Sequence, residues 1–306
     1  MSQVLPNFLI VGAGKSGSTS LYHYINQHPE VYMPDNKEPN FLVSDYQRKT
    51  NTMCPSYLDD TRRMIYDIDS YQKLFNGVVN KKMIGEATVT YLYQYEEAIS
   101  KIKKYLGADV KILIILRDPV ERTFSNYAYA CELGYEALSF REALDLEEER
   151  LRNNWSSIFA YRGQSHYLNQ VQAYLKAFDN VHIVLTHELK KDPKHTMEKV
   201  FAFLGLENIP LDFNEVFNPS GIPRFQFISK FLNQNNPFKS FLATILSGVI
   251  PRRKLRDWAR TARHLNIKGK LKNNDDLLTE ELYKEYYSEV CELEKVINKD
   301  LSAWKR

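Results

Sequence analysis

The stretch NFLIVGAGKSGSTSLYHYINQ, residues 7–27, decides the fold. Its first five residues are a continuous apolar run, which is typical of a strand buried on both faces of a parallel sheet. A loop of small and hydroxyl residues around Lys15 follows at residues 12–20, and a helix is predicted from residue 21. Small residues let a backbone approach a ligand, and helix N-terminal amides favour an anion. The stretch therefore predicts a phosphate or sulfate cradle.

Downstream of this loop the chain alternates between strand and helix patterns. Further apolar runs predict strands at residues 82–86, 110–116 and 181–185. Helices are predicted between the strands, including one at residues 119–133 and one at residues 139–153. Alternation of this kind indicates parallel βαβ units. We predict an α/β fold with a P-loop-like central parallel β-sheet flanked by helices.

The predicted sheet and the chain beyond it belong to one domain spanning residues 1–306. Its α/β core covers residues 1–208. The last 80 or so residues carry no strand signal, and residues 209–306 are predicted as a helical C-terminal part.

Composition excludes several classes of protein. Of the 306 residues, 43% are hydrophobic and 26% charged, which is ordinary globular usage and excludes disorder as the main state. The net charge of +3 is too balanced for a dedicated nucleic-acid binder. Cys54, Cys131 and Cys291 are odd in number and lack metal-ligand spacing, so free thiols in a reducing compartment are predicted. The N-terminal apolar run is too short for a signal peptide or membrane anchor, so we predict a cytoplasmic protein without a transmembrane segment.

The kind of anion that the first loop holds is a separate question. A nucleoside-triphosphatase loop needs glycine where Leu9 stands, so that spacing fails. Gly12, Gly14 and Gly17 do match the G-x-G-x-x-G spacing of dinucleotide-binding folds. However, Lys15 is unusual at that place, and no acidic residue ends a second strand about 20 residues later. The remaining alternative is a glycine-rich turn with a solvated lysine.

A second candidate anion site, RDPVERTFSNY, follows the strongest strand at residues 117–127. Arg117 supplies a planar fork of donors, and Ser125, two helical turns further on, supplies a hydroxyl for the same phosphate. Open α/β sheets bind ligands at the carboxyl ends of their strands, where both segments lie. The alternative is that Arg117 pairs locally with Asp118 or Glu121.

The two anion segments together resemble the signatures of sulfotransferases that use 3′-phosphoadenosine 5′-phosphosulfate (PAPS). KSGSTSLYHYINQHP resembles the family's 5′-phosphosulfate loop, and LRDPVERTFSNY resembles its 3′-phosphate site. KEPNF at residues 37–41 resembles the K-E-x-x-F segment of the carbohydrate (heparan-sulfate-like) branch, and GEATVTY at residues 85–91 resembles its G-E-K-S-P-x-Y segment. Later segments resemble soluble bacterial members, so the resemblance covers nearly the whole chain.

The resemblance implies sulfuryl transfer from PAPS to a hydroxyl of an acceptor, which we predict to be a carbohydrate. The product nucleotide would be adenosine 3′,5′-bisphosphate (PAP), and no metal is needed. Lys15 would meet the charge on the leaving oxygen, and Glu38 would take the proton of the acceptor hydroxyl. Glu86 and His166 are the alternative bases. The implied nucleotide-binding residues are Lys15, Ser16, Gly17, Ser18, Thr19, Ser20, Arg117 and Ser125.

Two departures from the family pattern leave the acceptor open. Ala87 stands where the carbohydrate branch has lysine, and Val89 replaces its proline. The alternative acceptor is therefore a lipid or small-molecule hydroxyl. A different enzyme class, a phosphoryl-transferring nucleotide kinase, would require Mg²⁺ and ATP. A catalytically silent nucleotide- or glycan-binding module would tolerate loss of Glu38.

Nine Lys/Arg residues between positions 251 and 272 form a basic segment. It is interpreted as a solvated face, as a contact of residues 267–270 with the nucleotide 3′-phosphate, or as a surface that steers an anionic acceptor. The apolar run at residues 241–250 beside it is predicted as a core helix. An interfacial helix is the alternative, and it would bring peripheral membrane contact.

Overall fold

A computed structural model describes residues 4–214, 222–223, 267–269 and 275–306. Five parallel strands form one sheet in the spatial order β2–β3–β1–β4–β5. They are β1 (Phe8–Gly12), β2 (Val31–Tyr32), β3 (Met83–Ala87), β4 (Lys111–Leu116) and β5 (Val181–Leu185). A separate antiparallel pair consists of β6 (Ile222–Pro223) and β7 (Ile267–Gly269), and β6 lies beside helix α7.

Helices connect the strands and cover the sheet. They are α1 (Ser18–Asn26), α2 (Ser44–Arg48), α3 (Tyr57–Arg63), α4 (Ile68–Gln72), α5 (Thr90–Tyr93), α6 (Tyr95–Tyr105), α7 (Pro119–Leu133), α8 (Phe140–Asp145), α9 (Glu147–Arg152), α10 (Tyr167–Ala177), α11 (Thr186–Lys191), α12 (Pro193–Leu204) and α13 (Asp276–Ile297). Short 3-10 turns are formed by Phe41–Val43, Lys73–Phe75, Ser157–Phe159, Gly163–Ser165 and Ser302–Trp304. The Asp118 side chain accepts hydrogen bonds from the first amides of α7, and Gly134 ends that helix in a left-handed conformation.

Both faces of the sheet are buried, which is why its strands are continuous apolar runs. Alternate residues of β1 point to opposite faces: Leu9 and Val11 join one core cluster, and Phe8 and Ile10 join the other. The first cluster is completed by buried residues of α5, α6, α7, α10 and α13, and the second by those of α1 and α12. The central position of β1 fixes the loop that follows it at the middle of the sheet edge.

The predicted parallel sheet flanked by helices is confirmed, and the four predicted strands lie within one residue of β1, β3, β4 and β5. The predicted helix at residues 139–153 is instead two helices, α8 and α9, which meet at Leu146. The expectation of no strand in the last 80 or so residues is wrong, because β7 lies there and pairs with β6. Strands of two and three residues are too short to show a period-two pattern.

Some sequence predictions fall outside the described residues. They concern the apolar run at residues 241–250 and the basic segment, of which the structure describes only 267–269. In the described residues no helix combines the length and apolar character needed to cross a membrane.

Candidate active site

The carboxyl edge of the sheet brings the predicted site segments together. The loop after β1 carries Lys15, and Arg117 directly follows the neighbouring strand β4. An Arg117 Nη1 donates to the Lys15 carbonyl oxygen at 3.3 Å, although 102 positions separate the two residues. On the other side, the backbone N–H of Glu38 donates to the Ala87 carbonyl oxygen at the end of β3, at 3.0 Å. These backbone contacts define one continuous site.

The loop after β1 has the shape of an anion cradle. Gly12 has φ +147°, and a Cβ atom there would lie 2.6 Å from the Leu92 Cβ, so only glycine fits. Gly17 precedes α1 with φ +101°. No side chain caps α1, and its first turn contains no acidic residue. The positive end of this helix therefore faces the loop without a built-in anion, an arrangement that favours an anionic ligand.

Lys15 lies in a partly buried, cationic environment. Its Nζ lies 3.8 Å from the centroid of the Tyr129 ring on α7, and it forms no salt bridge with a described carboxylate. The pKa of Lys15 is lowered to about 8, mainly by burial; the charges of Arg117 and Arg122 act in the same direction, and the charge of Glu132 opposes them. The alternative of a solvated lysine in a glycine-rich turn is therefore wrong. At neutral pH the ammonium is mostly charged and is available to a ligand anion.

Arg122 is a site-shaping residue that the sequence analysis missed. Its side chain is fully buried on α7, and Nε donates to the Gly14 carbonyl oxygen at 3.1 Å. The guanidinium also donates to the Tyr161 carbonyl oxygen, to Ser165 Oγ and to Gln164 Oε1, at 2.9–3.1 Å. The signal that could have found it is helical spacing, since Arg122 shares the buried face of α7 with Asn126 and Ala130.

The predicted 3′-phosphate residues lie on consecutive elements. Arg117 forms a salt bridge with Glu121, with 3.0 Å between Nη2 and Glu121 Oε2. The local pairing of Arg117 that the sequence left open is therefore present, together with its hydrogen bond to the Lys15 carbonyl oxygen. Ser125 lies half-buried on α7, beside which β6 packs. The structure brings Arg117 to the Lys15 loop, and it records no contact between Arg117 and Ser125.

Glu38 lies at the sheet edge next to the loop, with 42% of its side chain exposed. Its carboxylate oxygen lies 3.7 Å from Lys37 Nζ, so the two adjacent residues form a salt bridge. Lys37 also donates to Thr19 Oγ1 on α1 at 2.8 Å, so the Lys37–Glu38 segment is tied to the phosphate loop. The Glu38 charge is close enough to raise the pKa of Lys15.

Glu86 is fully buried under the same edge. Its carboxylate accepts hydrogen bonds from the hydroxyls of Tyr71 (2.9 Å), Tyr91 (3.0 Å) and Thr88. Burial raises the pKa of Glu86 to about 7, the three hydroxyls oppose this shift, and the charge of Glu38 adds to it. An acceptor cannot reach this carboxylate in the present conformation.

His166, the third candidate base, lies at the start of α10 and faces α13. Its Nδ1 lies 2.6 Å from Glu289 Oε2, and its Nε2 lies 3.3 Å from Glu285 Oε1. These two carboxylates raise the pKa of His166 to about 9, so the imidazole is protonated at neutral pH. Of the three candidates, Glu38 alone combines exposure with a place beside the Lys15 loop.

Within the described part of the chain, no cluster of three or more His, Cys, Asp and Glu residues is arranged to hold a metal ion. The three cysteines are free thiols.

A family model described as "Sulfotransferase family" matches residues 6–210, and the chain belongs to the sulfotransferase family. The family predicted from the two motifs is thus confirmed. The structure is similar to the crystal structure of a sulfotransferase from Alicyclobacillus acidocaldarius, with a TM-score of 0.71 and 30% sequence identity. The match covers 99% of this chain and 100% of that one.

Two curated mouse relatives are carbohydrate enzymes by name. Carbohydrate sulfotransferase 15 is 27% identical over 252 residues, which cover 66% of this chain and 44% of the relative. Heparan sulfate glucosamine 3-O-sulfotransferase 3B1 is 25% identical over 230 residues, which cover 72% of this chain and 52% of the relative. The chain therefore spans about half the length of the curated relatives it matches.

Proposed function

We propose that this protein transfers the sulfuryl group of PAPS to a hydroxyl of a carbohydrate acceptor. The observation that carries the proposal is the Lys15 ammonium. It lies in a glycine-bounded loop at the positive end of α1, and the loop is held by Arg117 and Arg122. Family membership and the names of the two mouse relatives support the reaction class and the carbohydrate acceptor.

The residues at the sheet edge have separate roles in the proposed reaction. PAPS supplies the activated sulfuryl group. The residues from Lys15 to Ser20 bind its 5′ end, and Arg117 with Ser125 binds its 3′-phosphate. Lys15 stabilises the negative charge that grows on the leaving oxygen, which by analogy with phosphoryl transfer is the main catalytic term. Glu38 takes the proton of the attacking hydroxyl.

The site also defines where the acceptor approaches. Glu38 is the exposed carboxylate beside the loop, so the acceptor hydroxyl comes from solvent along the end of β3 and the Lys37–Glu38 segment. Ala87 stands where the branch has its second lysine, so that position supplies no positive charge here. We place the protein in the cytoplasm, in line with its sequence, and propose no metal in the reaction.

Transfer of radioactive sulfate from ³⁵S-labelled PAPS tests the proposal. The acceptors are unsulfated heparosan and chondroitin, with a phenol and a steroid alcohol as comparisons. Label should enter polysaccharide in the parent protein. Turnover should fall about 10²–10³-fold in Lys15→Ala and about 10²–10⁴-fold in Glu38→Gln.

Two outcomes would contradict the assignment. In the first, the parent transfers no more label than Lys15→Ala to any acceptor. In the second, the parent transfers the γ-phosphate of ATP in the presence of Mg²⁺, as the kinase alternative requires.

A further inference from the structure

The Lys37–Phe41 segment that carries Glu38 has an unfavourable backbone conformation. Glu38 has φ +61° and Asn40 has φ +55°, both in the left-handed region. That conformation costs free energy for residues other than glycine and persists where the surroundings over-determine it. Part of the support is local, since Asn40 Nδ2 donates to the Glu38 carbonyl oxygen at 2.7 Å. The rest must come from outside the segment.

At the upstream end of the segment that support comes from Ala87 and Thr19, and at its downstream end from two buried tyrosines. The Tyr91 hydroxyl on α5 accepts a hydrogen bond from the Leu42 backbone N–H, at 3.3 Å. The Tyr71 ring on α4 stacks on Phe41, with ring centroids 4.5 Å apart. Residues 41 and 42 immediately follow the strained positions. The two tyrosines therefore fix the downstream end of the segment.

Both tyrosines are in turn fixed by one carboxylate. Their hydroxyls donate to the same oxygen, Glu86 Oε2, at 2.9 and 3.0 Å. The chain of donors runs in one direction, from the Leu42 N–H to the Tyr91 oxygen and from the Tyr91 O–H to Glu86. Thr88 occupies the other carboxylate oxygen, and its backbone N–H donates to the Ile10 carbonyl oxygen on β1. Glu86 thus links the central strands to the loop that carries Glu38.

We propose that Glu86 is a positioning residue, which through Tyr91 and Tyr71 holds the Lys37–Phe41 segment in the conformation that presents Glu38 to the acceptor. Glu86 itself touches no substrate, because its side chain is fully buried. The inference deepens the proposed function and rests on it for the role of Glu38. The hydrogen-bond chain itself can be tested without any activity.

Amide hydrogen exchange of the full-length chain, read in peptides covering residues 37–43, is the direct test. Tyr91→Phe keeps the ring and removes the link between Leu42 and Glu86. Exchange in this segment should become roughly tenfold faster, as expected for loss of one buried hydrogen bond. The matched control is Tyr135→Phe, which removes another buried tyrosine hydroxyl from a buried carboxylate, that of Asp59. It should leave residues 37–43 unchanged.

Glu86→Gln is the second variant. A glutamine amide offers one acceptor oxygen where three hydroxyls now donate, so exchange should again rise in residues 37–43. If neither Tyr91→Phe nor Glu86→Gln speeds exchange there more than Tyr135→Phe does, the proposal is overturned.

Kinetics separate positioning from a general structural role. In the parent background Tyr91→Phe should lower kcat roughly tenfold and leave the KM for PAPS unchanged, since the Tyr91 hydroxyl bonds to Leu42 and Glu86. In a Glu38→Gln background the same substitution should lower kcat less than about twofold, because residues that act through one group are not additive. A full tenfold loss in both backgrounds would show that Glu86 does not act through Glu38.

The two proposals can fail separately. If the parent protein transfers no sulfuryl group to any acceptor, the proposed function fails. The exchange result still decides whether Glu86 holds the segment.

Discussion

At the scale of single residues, the proposed site depends on Lys15, whose pKa is lowered. Removal from water, helped by the charges of Arg117 and Arg122, lowers the pKa of Lys15 to about 8. The charge that should stabilise the leaving oxygen is therefore present at neutral pH and is lost in mildly alkaline solution. The positive charges of Arg117 and Arg122 favour binding of an anionic donor, but they also lower the pKa of Lys15 and so narrow the pH range in which it is charged.

This predicts an alkaline limb in the kcat/KM for PAPS. That parameter reports groups of the free enzyme, so it should fall above about pH 8, by roughly tenfold per pH unit once Lys15 is mostly neutral. Lys15→Arg keeps its charge at every pH in this range, so whatever activity it retains should show no such limb. The measurement is kcat/KM from pH 6.5 to 10 with the donor varied. A flat parental profile up to pH 9.5 would contradict the assignment.

Burial also shifts the pKa of Glu86, in the opposite direction, because it disfavours the charged form of this carboxyl. Its pKa rises from 4.5 to about 7 on folding. The neutral carboxyl is the form that the fold favours, so its contribution to stability is fully present below about pH 4.5. The contribution is lost as the pH rises towards 7, and the shift corresponds to about 3 kcal/mol.

Urea unfolding at pH 5 and pH 8 measures this contribution. Between the two values, the free energy of unfolding of the parent should fall relative to that of Glu86→Gln by up to about 3 kcal/mol. Glutamine does not titrate, so any fixed cost of the substitution cancels in the comparison. Parallel pH dependence in the two proteins would show that Glu86 does not titrate in this way.

At the scale of elements, α7 joins the two halves of the proposed donor site. Its N-terminal turn follows Arg117, its buried face carries Arg122, and its next turns carry Ser125 and Tyr129. The three nitrogens of the Arg122 guanidinium donate to four oxygen atoms, among them the Gly14 carbonyl oxygen in the loop after β1. A rigid planar guanidinium satisfies such a set, and a lysine ammonium does not.

Arg122→Lys should therefore destabilise the protein although it keeps the charge. Oxygens that are left without a donor in the core should cost about 2–4 kcal/mol in total, and the loosened loop should also weaken PAP binding. Arg152→Lys is the matched control, because Arg152 is exposed and its salt bridge with Glu148 spans 4.0 Å. The control should change the free energy of unfolding by less than about 0.5 kcal/mol. Similar losses in the two variants, measured by urea unfolding, would contradict the role of Arg122.

The elements also show what the sequence can and cannot predict. Strands β1, β4 and β5 were predictable because burial on both faces produces an uninterrupted apolar run, and α7 because Pro119 and Gly134 mark its ends. Strand β2 was not predictable, since two residues carry no periodicity. The Lys15 loop and Arg117 could be found because each directly follows a strand.

The remaining site features depend on contacts that are distant in sequence. The partners of Arg122 lie as far as 108 positions away, at Gly14, and Glu86 owes its environment partly to Tyr71, 15 positions upstream. Sequence alone presents Arg122 as an ordinary charged residue and Glu86 only as an alternative base. It likewise presents His166 as an alternative base and does not show its carboxylate partners on α13, which lie more than 100 positions downstream. Only the fold shows that these charges hold the structure around the site.

At the scale of the whole molecule, the order of strands places the two segments proposed to bind anions on one edge of the sheet. Strand β1 lies at the centre and β4 beside it, so Lys15 and Arg117 become neighbours through the sheet. A nucleotide with phosphates at both its 3′ and 5′ positions can bind both segments at once. A nucleotide with a single chain of phosphates can bind only one of them. The fold therefore predicts which nucleotide stabilises it.

PAP should raise the unfolding temperature clearly, and ATP should do so far less. A ligand at about 100 times its dissociation constant adds roughly 2.7 kcal/mol to the free energy of unfolding, because it binds the folded state and not the unfolded chain. Arg117→Ala removes a charge-assisted bond to the remote phosphate, which should cost about 1.5–3 kcal/mol of PAP binding. In that variant the stabilisation by PAP should approach the stabilisation by ATP, and the weak effect of ATP should change little. Thermal unfolding of the parent and Arg117→Ala with each nucleotide measures all four values. Equal shifts with PAP and ATP in the parent would contradict a two-segment donor site, and an unchanged PAP shift in Arg117→Ala would remove Arg117 from it.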